Sequence, residues 1–172
     1  MTEKEEKEIK RSVGVFLMDE NERVLLVRRS FTQSNPGVYQ PSANGKLENN
    51  EDWFEALNRE IKEELGQELA KTIDVLSFVL VDQESYTYED KPVIGRSYLG
   101  FITQEQIKLV KLSEESDKVI FVSIKDLNRI KTTKEVKETG FNPDEEIVMF
   151  TDQFEALKKI FQRSYHSELK RV

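Results

Sequence analysis

The sequence contains no cysteine. That excludes a disulfide framework, a thiol nucleophile and a cysteine-ligated zinc. Histidine is nearly as scarce: His166 is the only one, and it sits in a charged C-terminal stretch where it reads as a surface residue. Long hydrophobic runs are missing too. The longest, residues 75–81 and 119–124, have the length of a strand and not of a membrane span. The first eight residues mix acids and bases and do not form a signal peptide. Excess positive charge is also lacking, with 26 Lys and Arg against 33 Asp and Glu and a net charge of −7. Affinity for a nucleic-acid polymer comes from cations that neutralise phosphates, so no such partner is expected. A cytoplasmic protein without a membrane partner is the expectation.

What is present suits one domain. The chain has 172 residues, 37% hydrophobic and 34% charged, enough to bury a core beneath a charged surface. Val13, Val15 and Leu17 alternate as a strand, residues 19–22 read as a turn and 24–27 as a second strand, which makes a hairpin. Residues 30–50 form a polar segment too long for a plain connection and are a candidate functional loop. Residues 52–65 are the clearest helix. Asp52 and Glu55 make a capping box, Gly66 ends the helix in a left-handed turn, and Phe54, Leu57, Ile61 and Leu65 form its apolar stripe. Strands are expected at 73–81, 97–102 and 118–124, with a polar, aromatic stretch at 83–96 and a short helix or turn at 126–130. Residues 131–142 read as loop and 143–161 as a second amphipathic helix. No repeat or linker divides the chain: a charged lead (1–10) precedes one domain (11–162) and a charged tail (163–172). The fold class is α+β, layered α/β/α.

On the first helix Glu60, Glu63 and Glu64 fall within an arc of roughly 100°, beside the apolar stripe. Like charges at this spacing destabilise a helix and call for a counter-charge. A solvated acidic face is one reading of the triad; hard oxygen ligands for Mg²⁺ or Mn²⁺ are the other. The surroundings decide between them. Gly45, then Glu51, Arg59-Glu60-Ile61, Glu63-Glu64 and Gly66, at their spacings, resemble the Nudix box G-x5-E-x7-R-E-U-x-E-E-x-G-U. Only the last position departs, with Gln67 in place of an aliphatic residue. That position is expected to pack below the site.

The resemblance implies the Nudix fold, a mixed β-sheet sandwiched between helices, over nearly the whole of residues 11–162. It also implies attack of water on one phosphorus of a nucleoside-diphosphate-linked or other small organic diphosphate. Glu60, Glu63 and Glu64 match the metal-binding glutamates, one of which also acts as base. Asn44 matches a position whose backbone carbonyl completes the metal shell. Glu51 and Arg59 match the pair that braces the loop, and Gly45 lets the backbone approach a phosphate. The segment Pro41-Ser42-Ala43-Asn44-Gly45 is similar to the branch that contains isopentenyl-diphosphate isomerase, but that chemistry uses a cysteine and none is here.

Further substrate contacts are expected from Arg28, Arg29 and Lys46, and from Tyr39 as a stacking partner, with Trp53, Tyr86, Tyr88 and Arg96 as weaker candidates. Glu84, Glu114 and Glu115 are candidates for an extra carboxylate from outside the box, although 114–117 also reads as a solvated turn. The competing readings are a ligand-binding module without catalysis and an isoprenoid-diphosphate isomerase. A homodimer is left open.

Overall fold

The computed structural model describes residues 9–169, with side chains described as far as residue 163. Most of the expected charged lead and part of the expected tail, with the His166 side chain, lie outside the described residues. β1 (Lys10–Met18) and β2 (Val24–Arg29) form the expected hairpin, paired at Leu17 with Leu25 and at Met18 with Val24. Its turn is held by the buried Asp19 carboxylate, which accepts from the N–H groups of Asn21 and Arg23 and from the Arg23 guanidinium at 2.7 Å.

Beyond this turn the two strands part. β1 lies beside β4 (Ala43–Lys46), while β2 pairs with β3 (Tyr39–Gln40). Parting strands leave backbone groups unpaired, and a buried unpaired group is costly. Ser42 fills the fork: its fully buried hydroxyl accepts from the Leu17 N–H at 2.9 Å and donates to the Leu25 carbonyl at 2.5 Å. This stitch fixes the start of β4, and with it Asn44 and Gly45. β5 (Val79–Tyr88) and β6 (Lys91–Phe101) extend the sheet on one side, with β6 parallel to β1. β7 (Ser116–Val122) pairs β2, and β8 (Ile130–Thr132) and β9 (Ile147–Met149) close the far side of a nine-stranded mixed sheet.

The helices are α1 (Trp53–Leu65), the short α2 (Gln67–Ala70) and α3 (Gln104–Ile107), and α4 (Thr151–Leu169). Alternate residues of β1 serve two cores, as the period of two requires. Val13, Val15 and Leu17 meet Leu57, Ile61 and Leu65 of α1, whereas Phe16 and Met18 meet Leu157, Ile160 and Phe161 of α4. The expected α/β/α layering is the one adopted.

Several expectations are corrected. The second long helix begins at Thr151, because Ile147–Met149 is β9, which runs parallel to β3 and β8. A short apolar run fits a strand and a helix stripe equally well by periodicity, and here sheet pairing decides. The stretch 83–96 is not a break between strands: β5 and β6 run through it to a two-residue turn in which Glu89 and Asp90 both take positive φ. Residues 75–77 form a 3₁₀ turn before β5, and the loop 30–50 contains β3 and β4. Gly66 does take positive φ (103°), but its ψ of 150° is extended, so the chain steps straight into α2. Gln67 is exposed and does not pack below the site; Leu69 supplies the buried apolar contact from this turn.

Candidate functional site

The site is built at the start of α1. Asp52 accepts from the N–H groups of Phe54 and Glu55, and Glu55 accepts from the Asp52 N–H, so the capping box fixes where the helix begins. Two turns on, Arg59 reaches back. Its Nε and Nη2 donate to the two Glu51 oxygens at 2.6 and 3.0 Å, and Nη2 also donates to the Lys46 carbonyl at 2.8 Å. Nη1 donates to Glu60 Oε1 at 2.7 Å and to Glu63 Oε2 at 3.3 Å. One guanidinium therefore ties β4, the loop and the acidic helix face together, and its hydrogen bonds hold the Glu51 carboxyl below the usual range.

The three glutamates do not share one environment. Glu60 and Glu64 are both 7% exposed, while Glu63 stands outside them. Gly45 makes room for Glu60, since a Cβ there would fall inside the Glu60 carboxyl group. The Asn44 N–H donates to Glu64 Oε2 at 2.8 Å. Burial pushes Glu60 up to about 6, against the pull of Arg59 and with help from Glu63 and Glu115. Burial likewise pushes Glu64 up to about 8, opposed by the Asn44 N–H and aided by Glu60, Glu115 and Glu63.

Glu115 thus reaches both buried carboxyls. Its segment docks on the last turn of α1, where the Leu65 carbonyl accepts from the Lys111 N–H and the Glu64 carbonyl from the Ser113 N–H. These are carbonyls that a helix end leaves without partners. Residues 113–115 are further fixed by Ser30, whose N–H donates to the Glu115 carbonyl and whose hydroxyl donates to the Glu114 carbonyl.

Glutamate oxygens buried against one another have the chemistry of a hard divalent-cation site, because a cation relieves both the burial of charge and the repulsion. Here Arg59 provides that counter-charge to Glu60 and Glu63. Among the described residues no three His, Cys, Asp or Glu side chains are arranged around one point.

The substrate arginines are placed differently from expectation. Arg28 donates to Asp117 (2.7 and 3.3 Å), to Asp144 (3.0 Å) and to the Pro143 carbonyl (3.0 Å), and Tyr39 beside it is 2% exposed. Arg29 donates to the Ser34 carbonyl and hydroxyl and to Gln40. Both guanidiniums are occupied in holding loops, and Tyr39 is a core residue with no face free for stacking. Lys46, by contrast, is exposed. Trp53 is covered by the Arg96 guanidinium at 4.4 Å, whereas Tyr86 and Tyr88 stand exposed on β5.

On the other face of β4 lies a cleft of about 260 Å³, lined among others by Asn44, Gly45, Lys46, Glu84, Asp152 and Gln153. Two buried polar atoms in it, Asn44 Nδ2 and Gln153 Oε1, have no hydrogen-bond partner. Burial, with Asp152 and Asp82 nearby, pushes Glu84 up to about 7, and Lys159 opposes this. Glu84 therefore belongs to the cleft and Glu115 to the glutamate cluster.

The family model described as NUDIX domain matches residues 8–140, more than half of the chain. This chain belongs to the NUDIX domain family. Nudix membership supports the general activity expected, that of a Nudix-type pyrophosphohydrolase, in a family that generally uses divalent metals. A search of curated proteins finds no match. Among solved structures, a MutT protein from Methanosarcina mazei Go1 is similar at 21% identity and TM-score 0.60, over 91% of this chain and 95% of that one. A C. elegans Ap4A hydrolase in a binary complex is similar at 18% identity and TM-score 0.58, over 91% and 98%. The NUDIX domain of Shewanella oneidensis NrtR, complexed with ADP ribose, is similar at 12% identity and TM-score 0.60, over 89% and 86%. Identities this low show the shared fold. Among the described residues no helix is long and apolar enough to cross a membrane.

The Nudix box accounts for Glu60, Glu63 and Glu64 but not for Glu115, and no motif announces the cleft. Asp82, Asp152 and Gln153 come from β5 and α4, and only the packing of α4 across the sheet brings them to Asn44.

Proposed function

We propose that this Nudix protein hydrolyses a small organic diphosphate with the help of a divalent cation, Mg²⁺ or Mn²⁺. The observation that carries the reading is the β4 backbone lying against the buried glutamates, Gly45 against Glu60 and the Asn44 N–H on Glu64, with Arg59 bracing that contact from Glu51 and Lys46. Glu60, Glu63 and Glu64, with Glu115 and the Asn44 carbonyl, are the groups that would hold the cation. When bound, it neutralises phosphate oxygens and acidifies water.

The chain's own groups do the rest. The Asn44 N–H holds Glu64 Oε2, which leaves Oε1 to take a proton from the attacking water. The water oxygen bonds to one phosphorus and the bond from that phosphorus to the bridging oxygen breaks. The bridging oxygen leaves with the other phosphate, whose negative charge Lys46 offsets. The organic half lies in the cleft, where the free Asn44 Nδ2 donates and the free Gln153 Oε1 accepts.

A screen of diphosphates in ¹⁸O-water tests this. One phosphate product should carry a single label, and Glu64→Gln should slow turnover by roughly 10²-fold or more, the range for losing a general base. Full activity in both Glu60→Gln and Glu64→Gln would overturn it. The hold of Arg59 on Glu60 and Glu63 favours one second reading, a binding module, which would bind the same ligands and release no product.

A further inference from the structure

Arg11, Lys46 and Lys91 have no acidic partner among the described residues, and together with Lys10 they line one cavity of about 790 Å³ beside the loop that precedes α1. Among the described residues the acidic partner of Lys10 is the exposed Glu89, at 4.0 Å, and its ammonium also lies over the Tyr88 ring. The acids that also line the cavity are paired with Arg59: Glu51 is bonded to it at 2.6 Å, and Glu48 lies 3.8 Å from it.

Strand register explains the convergence. Lys46 is opposite Ser12, Lys10 is opposite Val93, and Lys91 is two residues before Val93. Alternation therefore puts Lys10, Lys46 and Lys91 on one face of the sheet, the face that carries Ser12, Gly14 and Tyr86. Arg11 is held at the same end by its carbonyl, which accepts from the Leu47 N–H at 3.0 Å. A hollow of about 190 Å³ shares Lys10, Arg11 and Lys46 with this cavity and Ser12, Lys46 and Tyr86 with the cleft at Gln153, so that Lys46 lines all three spaces. The track is acidic at Asp82, Glu84 and Asp152, passes Gly45, and ends basic. In a chain of net charge −7, three cations without acidic partners in one cavity set it apart from the rest of the molecule.

We infer that this basic end is an anion subsite that takes phosphoryl groups beyond the diphosphate under attack, so that the preferred ligands carry an oligophosphate chain. The part concerning substrates rests on the hydrolase reading; the anion subsite does not. A phosphate chain suits the place because it concentrates charge along a narrow path, and three of the four cations are lysines, each a single charged point and not a fork that orients a planar carboxylate.

The test is calorimetric binding of inorganic triphosphate and orthophosphate to the whole chain, without divalent cation and at low ionic strength. Triphosphate should bind about tenfold more tightly than orthophosphate, and the advantage should shrink with added NaCl. The double variant Arg11→Gln/Lys91→Gln should lose that advantage, with its fold checked by melting, and Lys91→Gln alone should lose part of it. Equal affinity for the two anions, or an advantage untouched in both variants, would overturn the inference. So would tighter binding of a 5′-phosphorylated RNA strand through the same cations, which would make this a polymer site. Triphosphate binding that depends on Arg11 and Lys91, in a protein that cleaves no diphosphate, would refute the hydrolase reading and support the subsite.

Discussion

Gly45 and Arg59 carry the tightest constraints on single residues. A methyl group at Gly45 would displace the Glu60 carboxyl, so Gly45→Ala should destabilise the fold by about 1–3 kcal/mol in denaturant unfolding and remove activity along with it. Arg59 reaches Glu51 through two parallel bonds while also holding Glu60. Lysine supplies one charged point and not a fork, so Arg59→Lys should rescue little of the turnover lost in Arg59→Ala. Amide exchange over residues 46–51 should quicken in both variants; turnover loss with unchanged exchange would mean direct contact with phosphate instead. Glu84 carries a pH signature. Its carboxyl is raised from 4.5 to about 7 in the folded protein, so the fold keeps a proton that the unfolded chain has released. Its contribution is full below about 4.5 and lost as pH rises through about 7. Stability measured from pH 5 to 8 should therefore fall less steeply in Glu84→Gln, and parallel profiles would contradict the burial of this group.

At the scale of elements, α1 acts as a platform fixed at both ends. Its first turn is closed by Asp52, and Asp52→Ala should cost about 1 kcal/mol. Its last turn is closed by the 111–115 segment, which delivers Glu115 to the cluster. Glu115→Gln should lower cation-dependent turnover while leaving melting without cation unchanged or higher, because it removes a charge that repels Glu60 and Glu64. Lower melting would mean that Glu115 serves packing alone. The capping box was legible in the sequence because it is a local pattern. The docking of 111–115 was not, because it depends on backbone groups that carry no side-chain signature.

Over the whole molecule, buried carboxylates make the protein without cation self-repelling at one spot. Mg²⁺ should raise the melting temperature more than NaCl of equal ionic strength, by preferential binding to the folded state. Glu63→Gln/Glu64→Gln should abolish the difference; an unchanged response would place the cation elsewhere.

The sequence alone determined the family, the helix of residues 53–65 and the placing of Glu60, Glu63 and Glu64 on one side of it, because the box is a fixed spacing on one continuous segment. It also determined that β1 is a strand, from the local alternation of Val13, Val15 and Leu17, whereas the second core that takes Phe16 and Met18 came from the packing of α4. Tertiary structure decided everything that depends on partners distant in the chain. Arg28 and Arg29 have the composition of phosphate ligands, yet Asp117, Asp144 and Ser34 occupy them. Residues 147–149 form a strand because β3 and β8 lie ready to pair with them. Glu115 joins Glu60 and Glu64, and Gln153 faces Asn44, because a helix end and a packed helix bring them there. Spacing along a chain encodes local geometry; which side chain meets which across a sheet is set by how the layers close.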